Sequence, residues 1–172
     1  MSVKELHVTP HDQASAGTPA DRLAEQSVTD FSQFVICRIG DEEFAVDVLR
    51  VQEINRLADV ARVPRTPHYV EGVINLRGRI VAVLDLRKLF GLTGVRQTAH
   101  TRIVVVSVEA RLVGLMVESV EEVLRVPKSA IEPLPSVGTM AGAEFTQGIG
   151  RIEDRLLILV DLNRLLLIRE AA

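Results

Sequence analysis

An all-β fold made by duplication, mainly strands with short helices, is what this sequence predicts, and three observations carry that expectation. The stretch from Tyr69 to Leu92 sets two β-branched and aliphatic runs on either side of Asn75-Leu76-Arg77-Gly78 and ends in a short helical pattern. A relaxed copy begins at Phe145, with Gly148, Arg155 and Asp161 matching Gly72, Arg79 and Asp85, since 148 − 72, 155 − 79 and 161 − 85 all give 76. An earlier stretch also repeats: Phe44, Val51 and Glu53 match Val113, Val120 and Glu122, since 113 − 44, 120 − 51 and 122 − 53 all give 69.

Taken in order, residues 1–30 are polar, contain Pro10, Gly17 and Pro19, and show no sustained apolar period, which predicts a mobile tail. Phe31 to Ile39 reads as a strand, Gly40-Asp41-Glu42 as a turn and Glu43 to Val46 as a second strand. Asp47 to Arg50 then bend the chain into a third, Val51 to Ile54. Val63-Pro64 precedes a short helical turn over Thr66 to Tyr69. Val70 to Leu76 and Arg79 to Leu84 form a hairpin, with Gly78 where a positive φ costs least. Asp85 N-caps the helix that follows, its apolar face is Leu86, Leu89 and Phe90, and Gly91 stops it.

The second unit repeats this order. Ile103 to Val108, Leu112 to Val117 and Val120 to Val123 are strands, and Val126-Pro127 leads into a helical turn over Lys128 to Ile131. A loop from Glu132 to Gln147 carries Pro133, Pro135, Gly138 and Gly142, and a second hairpin and helix close the chain. Two five-strand units are too few for a solenoid. Small barrels fit better, because closure removes exposed strand edges, and their interiors are filled by their own side chains rather than by a ligand.

Composition narrows the function. The chain has 172 residues, is 47% hydrophobic and only 3% aromatic, has no Trp, and carries a net charge of −3, which leaves neither a basic stripe nor a set of stacking platforms for nucleic acid. The single Cys37 lies in an apolar run and is expected to be a buried, inert thiol in a reducing, cytoplasmic compartment. No apolar run has signal-peptide or bilayer-spanning character.

No catalytic constellation can be assembled. The serines lie outside any nucleophile elbow, His68 and His100 stand alone, and Gly148-Ile149-Gly150 lacks the third glycine of a phosphate loop and reads as a strand-entry bulge. His7 and His11 have helical metal-ligand spacing, but Pro10 lies between them, so no metal site and no cofactor is expected. The pairs Glu42-Glu43 and Glu121-Glu122 read as turn or strand-edge charges. Apolar content beyond what two small barrels bury, with no chemistry to serve, points to a protein-binding module.

Val51-Gln52-Glu53-Ile54, Val63-Pro64, Val70 to Gly78, Asp85-Leu86-Arg87, Gly114-Leu115 and Val117 to Leu124 together resemble the CheW-like chemotaxis coupling proteins, in the right order from about Phe31 to Leu167. The resemblance implies two interleaved five-stranded SH3-like β-barrel subdomains related by a pseudo-twofold across residues 31–170. It also implies a non-catalytic adaptor that couples the cytoplasmic tip of a chemoreceptor to the regulatory domain of a CheA-type histidine kinase, or a similar adaptor in a pathway such as twitching or gliding motility. Neither nucleic acid nor membrane insertion belongs to that role. Carried over by position, the resemblance puts receptor contact on the groove between the halves, with Val51, Glu53, Gly72, Asn75, Arg77 and Gly78, and kinase contact on apolar positions at the ends of the barrels, with Gly114, Leu115, Val117 and Val120. Glu53 and Arg77 have opposite charges, and their pairing either presents the turn to a helical receptor tip or only fixes the hairpin.

Overall fold

Two stretches of this chain, Phe34 to Ile39 and Ile103 to Val108, are almost unbroken apolar runs rather than alternating ones. Strands of this kind are buried on both faces, and the rest of the fold follows from satisfying both. The structure is a computed structural model that describes residues 30–57, 59–93, 97–135 and 141–170. The expected mobile tail with His7 and His11, the middles of the loops at 94–96 and 136–140, and the last two residues lie outside the described residues.

Eleven strands are found among the described residues: β1 (Phe31–Ile39), β2 (Glu42–Asp47), β3 (Val51–Arg56), β4 (Val70–Leu76), β5 (Arg79–Asp85), β6 (Arg102–Val108), β7 (Arg111–Val117), β8 (Ser119–Pro127), β9 (Ile131–Glu132), β10 (Thr146–Ile152) and β11 (Arg155–Val160). Helix α1 (Leu86–Leu89) follows β5, and α2 (Leu162–Glu170) follows β11. One sheet has the order β8-β1-β2-β11-β10-β9 and the other β3-β6-β7-β5-β4. Each encloses its own apolar cluster, and we call them barrel 1 and barrel 2.

The two sequence repeats do not coincide with the two barrels. The first hairpin of each repeat, β1-β2 or β6-β7, leaves its own unit and joins the other, through parallel pairing of β2 with β11 and of β7 with β5. The exchange keeps register. Phe44 opposite Ile158 in barrel 1 corresponds to Val113 opposite Ala82 in barrel 2, at the offsets of 69 and 76 read from the sequence. The β-bulges are duplicated too, at Glu121 and Gln52 in β8 and β3, and at Glu71 and Gln147 in β4 and β10. The strand-entry bulge expected at Gly148 is therefore present.

The exchange gives the two-faced strands their two destinations. Phe34 and Ile36 of β1 point into barrel 1 with Ala45, Leu157 and Leu159, and the equivalent Ile103 and Val105 of β6 point into barrel 2 with Ile74, Val81 and Val83. The intervening residues Val35, Cys37, Val104 and Val106 enter a third and larger core shared by both sheets, with Phe44, Leu86, Phe90, Phe145 and Leu165. Much of the apolar content beyond the capacity of two barrels is thus consumed inside the molecule, while large apolar side chains such as Leu49, Ile80, Val123 and Leu156 stay exposed. Cys37 lies in this shared core, fully buried, and burial pushes its thiol up to about 12, with a contribution from the nearby Glu121 carboxylate.

Local chemistry explains most element boundaries. Asp85 caps α1, its Oδ1 accepting from the Arg87 N–H at 2.9 Å, and Asp161 does the same for Arg164 at 3.1 Å. Asp47 caps a single 3₁₀ turn over Val48–Arg50, at the bend the sequence predicts. Lys128–Ala130 forms the expected helical turn, but residues 66–69 do not. There Arg65 has φ 63° and Pro67 supplies no N–H, so the segment folds as successive tight turns. Strand β8 runs well past Val123 to Pro127, because β1 supplies a partner along its whole length. The second hairpin also gains a short extra strand, β9, where the first unit has only the isolated bridge between Ala61 and Val73.

Candidate functional site

The turn between β4 and β5 is set by its own sequence. Arg77 and Gly78 have φ of 51° and 82°, the positive pair of a type I′ hairpin turn. Such a turn matches the right-handed twist of the strands, and the Asn75 side chain closes it by accepting from the Gly78 N–H at 2.8 Å. Arg77 thereby stands at the tip with its side chain 84% exposed, in reach of β3.

Glu53 meets it there. One carboxylate oxygen of Glu53 lies 3.0 Å from the Arg77 guanidinium, and the other accepts from Asn55 Nδ2 at 2.6 Å. The glutamate is largely covered and doubly held, whereas the arginine spends one edge on it and leaves the rest of its fork open to solvent. Beside the turn, a groove of about 420 Å³ opens where β5 and β7 approach α2, lined by Arg79, Ile80, Val81, Leu112 and Leu166.

Gly72 has a different job. Its φ is 153°, and a Cβ there would lie 2.2 Å from the Ala61 carbonyl oxygen. Residues 60 and 61 cross directly over it and are tied down by two backbone hydrogen bonds between Ala61 and Val73, at 2.8 and 2.9 Å. Gly148, its counterpart, lies under the Glu132 carbonyl in the same way. Val51 is half-buried and packs on the shared core. Glu53, Asn75, Arg77 and Gly78 thus converge on one turn, while Gly72 and Val51 hold the scaffold that carries it.

Of the positions carried over for kinase contact, Leu115 and Val117 are 0% and 2% exposed. Gly114 is buried beneath Ile103 and Val83. Val120 is half-buried against the shared core. These side chains belong to the interior, so they act on any surface only through the strands they hold. Among the described residues there is no group of three His, Cys, Asp or Glu placed to hold a metal ion. His68 packs edge-on against Tyr69 at 5.6 Å, and His100 is exposed.

Reading single residues misses the polar ties between elements. Arg155 holds Glu43 with two bonds of 2.8 and 3.0 Å and Glu122 with one of 2.8 Å, which draws the Glu43 carboxyl below its usual range. These glutamates are therefore more than strand-edge charges. The repeat carried a signal for this: Glu122 is the counterpart of Glu53, and each takes an arginine from the hairpin of its own repeat. At the junction of the sheets Arg87 pairs with Glu118, whose other oxygen accepts from the Gly40 N–H at 3.0 Å.

A duplicated β-architecture with exchanged hairpins and a capped Asp-Leu helix after each is a specific arrangement, and a family model described as the CheW-like domain matches residues 33–170. The chain belongs to the CheW-like family. It is 39% identical to the chemotaxis protein CheW of Klebsiella aerogenes over 151 residues, 88% of this chain and 90% of that protein. It is 35% identical to the chemotaxis protein CheW of Helicobacter pylori over 154 residues, 90% of each. The crystal structure of the scaffolding protein TtCheW from Thermoanaerobacter tengcongensis resembles this fold with a TM-score of 0.72 and 33% identity, over 76% of this chain and 84% of that one. No described helix is long and apolar enough to cross a membrane.

Proposed function

We propose that this protein is a non-catalytic chemotaxis adaptor that couples the cytoplasmic tip of a chemoreceptor to the regulatory domain of a histidine kinase, and that it works in the cytoplasm at membrane receptor arrays through those partners. The observation that carries the proposal is the Glu53–Arg77 pair on a turn whose counterpart at 151–154 has Glu153 and Asp154 where this one has Arg77 and Gly78. Barrel 1 makes its hairpin without Asn75-Leu76-Arg77-Gly78, so strand pairing does not require those side chains, and a recognition role accounts for them.

In this reading Arg77 offers the free part of its guanidinium, Glu53 and Asn75 fix its direction, and the groove beside Ile80 receives apolar side chains of a receptor helix. Val51 and Gly72 support the strands beneath. Kinase contact involves the half-buried Val120 and the outer faces of strands whose inner residues include Gly114, Leu115 and Val117.

Titration calorimetry against a receptor-tip fragment and, separately, a kinase regulatory domain tests this. Both should bind, and Arg77→Ala should weaken the receptor alone by roughly tenfold, about the 1.4 kcal/mol of one charge-assisted contact. If Glu53→Arg combined with Arg77→Glu restores receptor binding lost in each single variant, the pair serves mainly to fix the turn. Binding of the folded protein to neither partner would refute the adaptor role.

A further inference from the structure

The net charge of −3 conceals a strong segregation between the barrels. Residues 48–93 and 102–117, which build barrel 2 and its connections, carry ten Lys and Arg against five Asp and Glu, a net of +5. Residues 30–47 and 118–167, which build barrel 1, carry six against thirteen, a net of −7. Local charge of this size, rather than the total, sets the field that an approaching protein meets within a Debye length of about 8 Å.

How the cations are used differs as well. In barrel 1, Arg155 is consumed by Glu43 and Glu122, Arg38 pairs with Glu43 and Glu121, and Arg125 lies over the Phe31 ring at 4.9 Å. Lys128 and Arg151 of barrel 1 are exposed with no ion pair or hydrogen bond among the described residues, but they stand among a large excess of carboxylates. In barrel 2, Arg56, Arg62 and Arg65 are exposed and have no ion pair or hydrogen bond among the described residues. Arg56 also stands directly opposite Arg102 across the β3–β6 ladder, where barrel 1 sets Arg125 opposite Gln33. Like charges facing each other on neighbouring strands are destabilising, so barrel 2 tolerates a repulsion that its counterpart avoids. The loop bearing Arg62 and Arg65 is pinned to β4 by the Ala61–Val73 bridge over Gly72.

We infer that this arginine-bearing face of barrel 2 is a steering surface for an acidic protein partner, and that Arg56, Arg62 and Arg65 set how fast that partner arrives and which barrel it meets. The partner is the receptor tip of the proposed function, on which the inference rests, because the Arg77 turn lies on the same barrel. It recognises acidic side chains flanking the receptor's apolar contact, through long-range attraction that leaves the dissociation rate largely alone.

Stopped-flow association of the full chain with a receptor-tip fragment, from about 30 to about 300 mM salt, is the test. The wild-type rate constant should fall steeply with salt. Arg56→Gln/Arg62→Gln/Arg65→Gln should slow association roughly tenfold at low salt and flatten the salt dependence, with dissociation changed less than about twofold. The control Glu132→Gln/Glu153→Gln/Asp154→Asn removes three exposed charges from barrel 1 and should speed association less than about twofold. Equal and opposite effects of the two triple variants would mean that net charge matters and no face exists, and a salt-independent wild-type rate would overturn the inference outright. So would tighter, arginine-dependent binding to a DNA duplex than to the receptor fragment. Absence of receptor binding at any salt would instead remove the adaptor role, and the inference with it.

Discussion

At the scale of single residues, two positions show opposite uses of burial. Gly72 exists to let residues 60 and 61 cross β4, and a methyl group there would collide with backbone rather than with a yielding side chain. Gly72→Ala should therefore destabilise the protein by about 2–4 kcal/mol in urea unfolding, the range of combined backbone strain and overpacking. Asp85 is 2% exposed, and its Oδ2 has no hydrogen-bond partner, with Lys88 Nζ 4.0 Å away and held more closely by Glu71 at 2.6 Å. Burial raises its carboxyl above the usual range, against the lowering effect of the Arg87 and Lys88 backbone N–H groups. A folded-state value above the unfolded one makes the ionised group a cost at neutral pH, and that cost disappears as pH falls through the carboxylate range. Asp85→Asn keeps an N-cap oxygen and should raise stability at pH 7, with the gain shrinking toward zero in acid, as measured by unfolding at a series of pH values. Glu43 acts in the opposite sense: its lowered value means stability that is present above the ordinary carboxylate range and lost as pH falls through the folded value.

Among the elements, the hairpin turns distinguish the two barrels. Both turns of barrel 2 place two successive residues at positive φ, Arg77-Gly78 and Glu109-Ala110, whereas the corresponding turns of barrel 1 place only Gly40 or Glu153 there. At the β4–β5 turn the second position is Gly, so the conformation costs little. The β6–β7 turn has Ala110 at φ 63°, which a residue with a Cβ resists. Ala110→Gly should stabilise the fold by about 0.5–1 kcal/mol, since relief of that resistance outweighs the extra chain entropy of glycine. A shift of the urea midpoint with unchanged slope would verify it. The β4–β5 turn was legible in the sequence because Asn75 and Gly78 are the turn's own chemistry. Nothing in Glu109-Ala110 announced the same geometry; the pairing of β6 with β7 imposes it.

For the whole molecule, stability depends on exchanged hairpins. A fragment covering residues 31–93 contains β1 to β5 and one complete sequence repeat, yet it would own neither sheet, because β1-β2 needs β8 and β11 while β3, β4 and β5 need β6-β7. It should fail to fold cooperatively, judged by amide dispersion in NMR, and should gain structure when the fragment 97–172 is added. Two repeats that each closed on themselves would give the contrary result, a first fragment folded alone. What the sequence by itself determined was local and periodic: the strands, their offsets of 69 and 76, the Asp85 cap, the Asn75–Gly78 turn and a thiol fit for burial. Those features depend on neighbours a few residues apart or on self-similarity, both of which a linear chain displays. Only the tertiary structure decided which hairpin completes which barrel, that Leu115 and Val117 face inward, and that a chain of net charge −3 has one positive and one negative barrel. A strand's pairing edges look alike to a partner within its own repeat and to the same strand of the other repeat. The choice is made by the large shared core, which forms only when both faces of β1 and β6 are covered at once.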